Sequence, residues 1–180
     1  YMVKYKQRPI NNFSVATIVY RDEDTIEKTL DNIIANTNRG NQLVIVSGKG
    51  GDKTSEIVTE KIKKSHFFVN RNYKLLSKEW EHDFSLQKNY ALNNCKSGWR
   101  LLLDADEWLD GYTWNMLPHI IRRLDAEGID CAFFPRINVL EGLSREQLEQ
   151  YCQKQQLESK KVAAPAGTTQ EIGNCENAIK

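Results

Sequence analysis

Five short apolar runs alternate with stretches whose apolar residues recur at helical spacing, and few folds besides a layered α/β sheet satisfy that alternation. Residues 14–20 (SVATIVY) are compact and β-branched, as in a strand buried on both faces. Ile26, Leu30, Ile33 and Ile34 then share one helical face, with Asp24 and Glu27 as an N-terminal cap signal. Residues 42–47 (QLVIVS) predict a second strand, and the turn GKGGD leads into a helix over 53–64. A short third strand is expected at 66–70 (HFFVN), followed by a loop over 72–81, where no period is evident. Asp83 opens a helix with Phe84, Ala91 and Cys95 directed inward, and residues 99–103 (WRLLL) form a fourth strand that delivers Asp104 at its end. Trp114, Leu117, Ile121 and Leu124 mark an amphipathic helix over 112–126, and 131–135 (CAFFP) a fifth strand. A polar helix is expected over 144–156, and the small, polar residues beyond 157 predict a disordered tail.

Length and charge narrow the function. A chain of 180 residues suits one domain with its own core. Its 25 Lys and Arg against 24 Asp and Glu lack the basic surplus of a general nucleic-acid binder. Cys95, Cys131, Cys152 and Cys175 form no CxxC pair, which argues against structural zinc; two buried thiols and two tail thiols are expected. No apolar run reaches the ~20 residues of a transmembrane helix, and residues 1–9 are polar and basic rather than an apolar signal segment. A cytoplasmic protein with a small-molecule or protein partner is the expectation.

The chemistry concentrates in residues 101–109, LLLDADEWL, where an apolar strand ends in Asp104, Asp106 and Glu107. Carboxylates so close repel one another and stay ionised only with a cation or full solvation. In open α/β sheets ligands bind beyond the carboxyl ends of the strands, which is where these groups fall. Mg²⁺ and Mn²⁺ favour such oxygen ligands and commonly also hold a substrate's phosphates. Asp-rich turns after strands are common for local reasons, but the LLL strand and the following Glu-Trp favour a functional cluster. The turn GKGGDKT is not a P-loop: Asp52 stands where that pattern needs Gly before Lys, and an aspartate there would repel phosphate.

LLLDADEWL resembles the D-x-D segment of family 2 glycosyltransferases, a group with the GT-A fold. SVATIVYRDEDTIEKTL is similar to that family's opening strand, acidic turn and first helix, and QLVIVSGKGGDKTSEIV to its second strand, turn and helix. WEHDFSLQKNYALNNCKSGWRLLLDADEW resembles the segment where a W-x-x-DF helix with an Arg-Asn or Lys-Asn pair leads into the metal strand. The ordered set covers about residues 13–140 (a count by motif). The resemblance implies a GT-A-like (Rossmann-like), mixed, mostly parallel sheet flanked by helices. It implies transfer of a sugar from a nucleoside-diphosphate sugar to a hydroxyl acceptor (glycan, lipid carrier or protein), with Mn²⁺ or Mg²⁺ and inversion at the anomeric carbon.

Position by position, the resemblance makes Asp106 the metal-touching residue and Asp104 a contact to the ribose or, through water, the metal. Glu107 follows as in the D-x-D-E branch. Glu23 matches an acidic residue near the nucleotide, Asp52 and Thr54 the D-x-T opening the second helix, and Lys88 with Asn89 the pair facing the sugar-diphosphate. Glu23 and Asp52 equally suit helix N-termini, and Lys88 a solvated helix charge; a mid-helix Asn at 89 is intrinsically unfavourable and therefore more suggestive. Trp80, Trp108 and Trp114 read as core or lip residues. Ser47 stands where many relatives have a base-contacting Asp. No motif after Leu143 singles out a catalytic base, so the acceptor side reads as incomplete and the catalytic residue stays unassigned. The expected division is an extension over 1–12, a nucleotide-sugar-binding domain over 13–143, a helix over 144–156 and a tail over 157–180. A non-catalytic nucleotide-sugar-binding remnant is the main rival. A nucleotidyltransferase is disfavoured, because Arg21-Asp22-Glu23-Asp24 occupies the place of its Gly-rich basic loop.

Overall fold

Eleven elements occur in the described residues of the computed structural model, in the order β1 (Met2–Tyr5), β2 (Ser14–Val19), α1 (Ile26–Asn36), β3 (Gln42–Ser47), α2 (Thr54–Lys63), α3 (His66–Val69), β4 (Tyr73–Ser77), α4 (Phe84–Asn93), β5 (Gly98–Leu102), α5 (Gly111–Ala126) and β6 (Cys131–Ala132). The structure describes residues 2–5, 12–96, 98–135, 137, 146, 147 and 150, with side chains from residue 12 onward. The chain divides into a unit of residues 1–134, which carries the sheet, and a unit of residues 135–180. In the second, Glu146, Gln147 and Gln150 are helical and exposed; the rest of the expected helix over 144–156 and the tail lie outside the described residues.

The sheet order is β4-β3-β2-β5-β1-β6. β4, β3, β2 and β5 run parallel, whereas β1 pairs antiparallel with both β5 and β6. The central strands read as continuous apolar runs because both faces are covered. Val15, Val19, Leu43, Ile45 and Leu101 pack in one cluster with Ile26, Leu30 and Ile33 of α1, Val58 and Ile62 of α2, and Trp114, Leu117 and Ile121 of α5. Ala16, Ile18, Val44, Val46 and Leu102 pack instead with Ala91 and Leu92 of α4 and with Cys95. From β2 the order runs to β3 on one side and to β5 on the other, so a crevice opens at the carboxyl ends between β2 and β5, the switch point where such sheets bind ligands. Among the described residues no helix is long and apolar enough to cross a membrane.

Several expectations need correction. HFFVN forms the one-turn helix α3, in which Phe67 is buried and Phe68 and Val69 are exposed; its aromatic, β-branched content resembles a strand, but only one side chain is covered. The strand lies instead at 73–77, in the supposed loop, because an edge strand with Lys74 and Ser77 exposed shows no clean alternation. Phe84 is 63% exposed rather than inward, since the first turn of α4 lies at the carboxyl edge, beyond the strands that cover Ala91 and Leu92. Helix α1 has Thr25 at its N-cap without a side-chain bond, and the carbonyl of Asp22 accepts from Thr25 and Ile26 instead. Residues 2–5, read as part of an extension, pair into the sheet. Cys95 is buried as expected, but Cys131, on the two-residue β6, is exposed; Cys152 and Cys175 lie outside the described residues.

Candidate active site

β5 stays tied to β2 one residue past its end, where the N–H of Leu103 donates to the carbonyl of Ala16 at 3.1 Å. The chain then turns sharply. Glu107 N–H donates to the Asp104 carbonyl at 3.0 Å, and Asp104 N–H donates to Glu107 Oε2 at 3.1 Å. Glu107 therefore fastens the turn. Thr17 Oγ1 donates to the Leu103 carbonyl, and Thr29 Oγ1 donates to the Ala105 carbonyl at 2.7 Å. Asn32 brackets the far end: its Nδ2 donates to Leu109 O at 2.9 Å, and its Oδ1 accepts from Leu109 N at 3.2 Å and Trp114 Nε1 at 2.8 Å. With Ala105 buried and the turn held by β2 and α1, Asp106 is exposed and Asp104 half-buried. No motif marks Thr29 or Asn32, although a threonine on the apolar stripe of α1 is a visible signal of a buried polar contact.

A second set of carboxylates arrives from the loops after β2 and β3. Asp22 Oδ2 accepts from the Tyr20 amide at 2.7 Å, the Asp22 amide donates to Thr54 Oγ1 at 2.9 Å, and that hydroxyl donates to Asp52. Burial pushes the Asp22 carboxyl up; the Tyr20 amide opposes this, and the negative charges of Asp106, Asp52 and Asp104 push it further up. Asp22 thus senses three other aspartates from two different loops. The family resemblance points to its neighbour Glu23 instead. Glu23 Oε2 accepts from the Lys53 amide at 3.0 Å, so it satisfies a donor at the start of α2. Arg21 and Lys49, at φ 59 and 57, carry the two loops through left-handed turns, and Arg21 Nε reaches Gly50 O at 3.2 Å.

On the α4 side, Lys88 Nζ stands 2.7 Å from Asp104 Oδ1 and 2.9 Å from Oδ2. Asn89 is exposed on the same helix. Asp83 caps α4 by accepting from Ser85 and Leu86 amides, as its sequence position predicts. Trp80 stacks on Tyr20 at 5.2 Å and meets Phe84 edge-on at 4.7 Å; a side chain at Gly48 would strike the Tyr20 ring. Trp108 is a lip residue with Lys28 Nζ 3.9 Å from its ring centre, whereas Trp114 is core. Ser47 Oγ lies 3.0 Å from Ser55 Oγ, beside a cavity of about 60 Å³ also lined by Val19, Ile45 and Val58. That volume is far below the ~300 Å³ of a ligand pocket.

Among the described residues no three His, Cys, Asp or Glu side chains converge as a ready-made metal cage. The charge nonetheless fits a cation. The charges of Asp106, Asp52 and Asp104 act on Asp22 across the crevice, and Mg²⁺-like ions characteristically take one or two carboxylates and complete their shell with substrate phosphates and water.

Residues 14–169, most of the chain, match the family described as Glycosyl transferase family 2. The chain belongs to glycosyl transferase family 2. Glycosyltransferase GlyA of Streptococcus pneumoniae serotype 4 is 28% identical over 101 residues, which is 56% of this family 2 chain and 14% of GlyA. The crystal structure of S. aureus TarS 1–349 is similar with a TM-score of 0.53 at 19% identity, over 69% of this chain and 38% of TarS 1–349. The longer S. aureus TarS structure gives a TM-score of 0.52 over 74% of this chain and 24% of that one. The family 2 chain thus has the expected α/β, GT-A-like fold, and it spans well under half of these relatives' lengths.

Proposed function

We propose that this chain binds a nucleoside-diphosphate sugar along the carboxyl edge of its parallel strands and serves metal-dependent, inverting transfer of the sugar to a hydroxyl acceptor. The observation that carries the reading is that Asp104 and Asp106 sit on the fastened turn after β5 and Asp22 on the loop after β2, the two strands that flank the switch point, with Lys88 against Asp104. Family membership supports it, as does the fold shared with TarS, a protein crystallised with UDP and with UDP-GlcNAc. Asp106, exposed on the fastened turn, and Asp104 hold the divalent cation, Mn²⁺ or Mg²⁺. Held by those two carboxylates, a divalent cation would supply positive charge opposite the diphosphate leaving group. Lys88 and Asn89 face the sugar-diphosphate, while Glu23, Ser47 and Asp52 lie toward the nucleotide. Ser47 offers the base a hydroxyl and no charge, so it recognises the base by hydrogen bonding alone.

Calorimetric titration with UDP and GDP, with and without Mn²⁺, tests the reading. Binding of at least one nucleotide is expected to need Mn²⁺, and Asp106→Ala is expected to weaken it about tenfold or more, or ~1.4 kcal/mol. Absence of binding by the wild type, or unchanged binding in Asp106→Ala, overturns it.

A further inference from the structure

The ion pair between Lys88 and Asp104 occupies the carboxylate assigned to the cation. Both oxygens of Asp104 lie within 2.9 Å of one ammonium, and both side chains are more than two-thirds covered, at 27% and 29% exposure. A pair so placed is screened less than a fully exposed one, and separating it is easier when each partner is offered a replacement charge. Lys88 sits on α4, which Ala91, Leu92 and Cys95 anchor to the sheet, so the helix does not depend on this bond. The lysine stem has four rotatable carbons, and its Nζ already lies 5.9 Å from the ring centre of exposed Phe84, over the open edge. The ammonium can therefore change partners without movement of the backbone.

We infer that Lys88 is an exchangeable counter-ion: without ligand it neutralises Asp104 and opposes a lone divalent cation, and when cation and diphosphate enter together it passes from Asp104 to the diphosphate. This rests on the donor-site reading above. The physical reason is charge balance. A lone cation must displace the ammonium from Asp104 and then sit beside it, like charge against like. A cation accompanied by a diphosphate brings an anion that takes the displaced ammonium, so neither Asp104 nor Lys88 is left unpaired. Lys88 consequently couples the two ligands. By linkage, the nucleotide strengthens cation binding by the same factor as the cation strengthens nucleotide binding.

The test is a set of Mn²⁺ titrations of the wild type, Lys88→Met and Lys88→Arg, each alone and with saturating UDP or GDP, followed by the paramagnetic signal of free Mn²⁺. Lys88→Met is expected to bind Mn²⁺ alone about tenfold tighter than the wild type, and the factor by which nucleotide tightens Mn²⁺ should shrink about tenfold. Lys88→Arg keeps the charge and should bind Mn²⁺ alone no tighter than the wild type. Nucleotide-dependent Mn²⁺ binding by the wild type, combined with unchanged or weaker binding of Mn²⁺ alone in a Lys88→Met protein that melts cooperatively, overturns the counter-ion role and leaves the donor site standing. Failure of the wild type to bind Mn²⁺ with either nucleotide overturns both.

Discussion

Asp22 shows how one side chain can report on a whole site. Its carboxyl is pushed up first by burial and then by aspartates that are distant in sequence. An acid whose folded pKa is raised binds its proton more tightly when folded. The folded state is therefore favoured most below the unfolded value of 3.8, and that advantage is lost as pH rises through the folded value. At neutral pH ionised Asp22 is a net cost. Asp22→Asn removes the charge yet keeps an oxygen for the Tyr20 amide. The variant is expected to be more stable than the wild type at about pH 7, by on the order of 0.5 kcal/mol after solvent screening, and no more stable at about pH 3. Thermal melts at both values check this. The contrast with Glu23 is also informative. The two are adjacent, but one faces the crevice aspartates and the other a helix amide.

At the scale of elements, the acidic turn owes its shape to α1 as much as to β5. Thr29 and Asn32 hold the carbonyls of Ala105 and Leu109, and Asn32 also takes the indole of Trp114 on α5. Asn32→Ala leaves the Leu109 amide and the indole without this acceptor, at a cost of about 1–3 kcal/mol, and loosens the turn that presents Asp106. Urea denaturation should show the loss, and Mn²⁺-dependent nucleotide binding should weaken with it. Asn36→Ala, which removes one exposed bond to the preceding turn of the same helix, should cost less than about 0.5 kcal/mol. Apolar periodicity places α1 and α5, each of which buries an apolar stripe, whereas the GKGGD turn and the Asp83 cap mark the starts of α2 and α4. Periodicity misplaced the strand at 66–70 and missed β4, because an edge strand covered by one neighbour on its hydrogen-bonding side need not alternate.

Across the whole molecule, four parallel strands bring the loops after β2, β3 and β5 to one edge, and that arrangement assembles the site. β1 closes the other side of β5 and provides the ladder for β6. Deleting residues 1–11 should therefore bare an edge in the middle of the sheet. The expected outcome is a lower melting temperature and association through the exposed strand, read by thermal melts and size-exclusion chromatography. An unchanged melt and a monodisperse monomer would show that β1 contributes no stability.

The sequence by itself determined the layered α/β class, the central strands and the presence of Asp104 and Asp106 at a strand end. These are local matters of apolar period and of residues adjacent in the chain. Only the tertiary structure decided that Asp22 and Asp52 join those carboxylates, that Glu107 fastens a turn, that Thr29 and Asn32 support it, and that Lys88 neutralises Asp104. Apart from the Glu107 contact, which spans three residues, those relations join residues at least 16 positions apart, and sheet order sets which of them meet. Order in a sheet is a property of how strands pair across the molecule, and no local pattern encodes it.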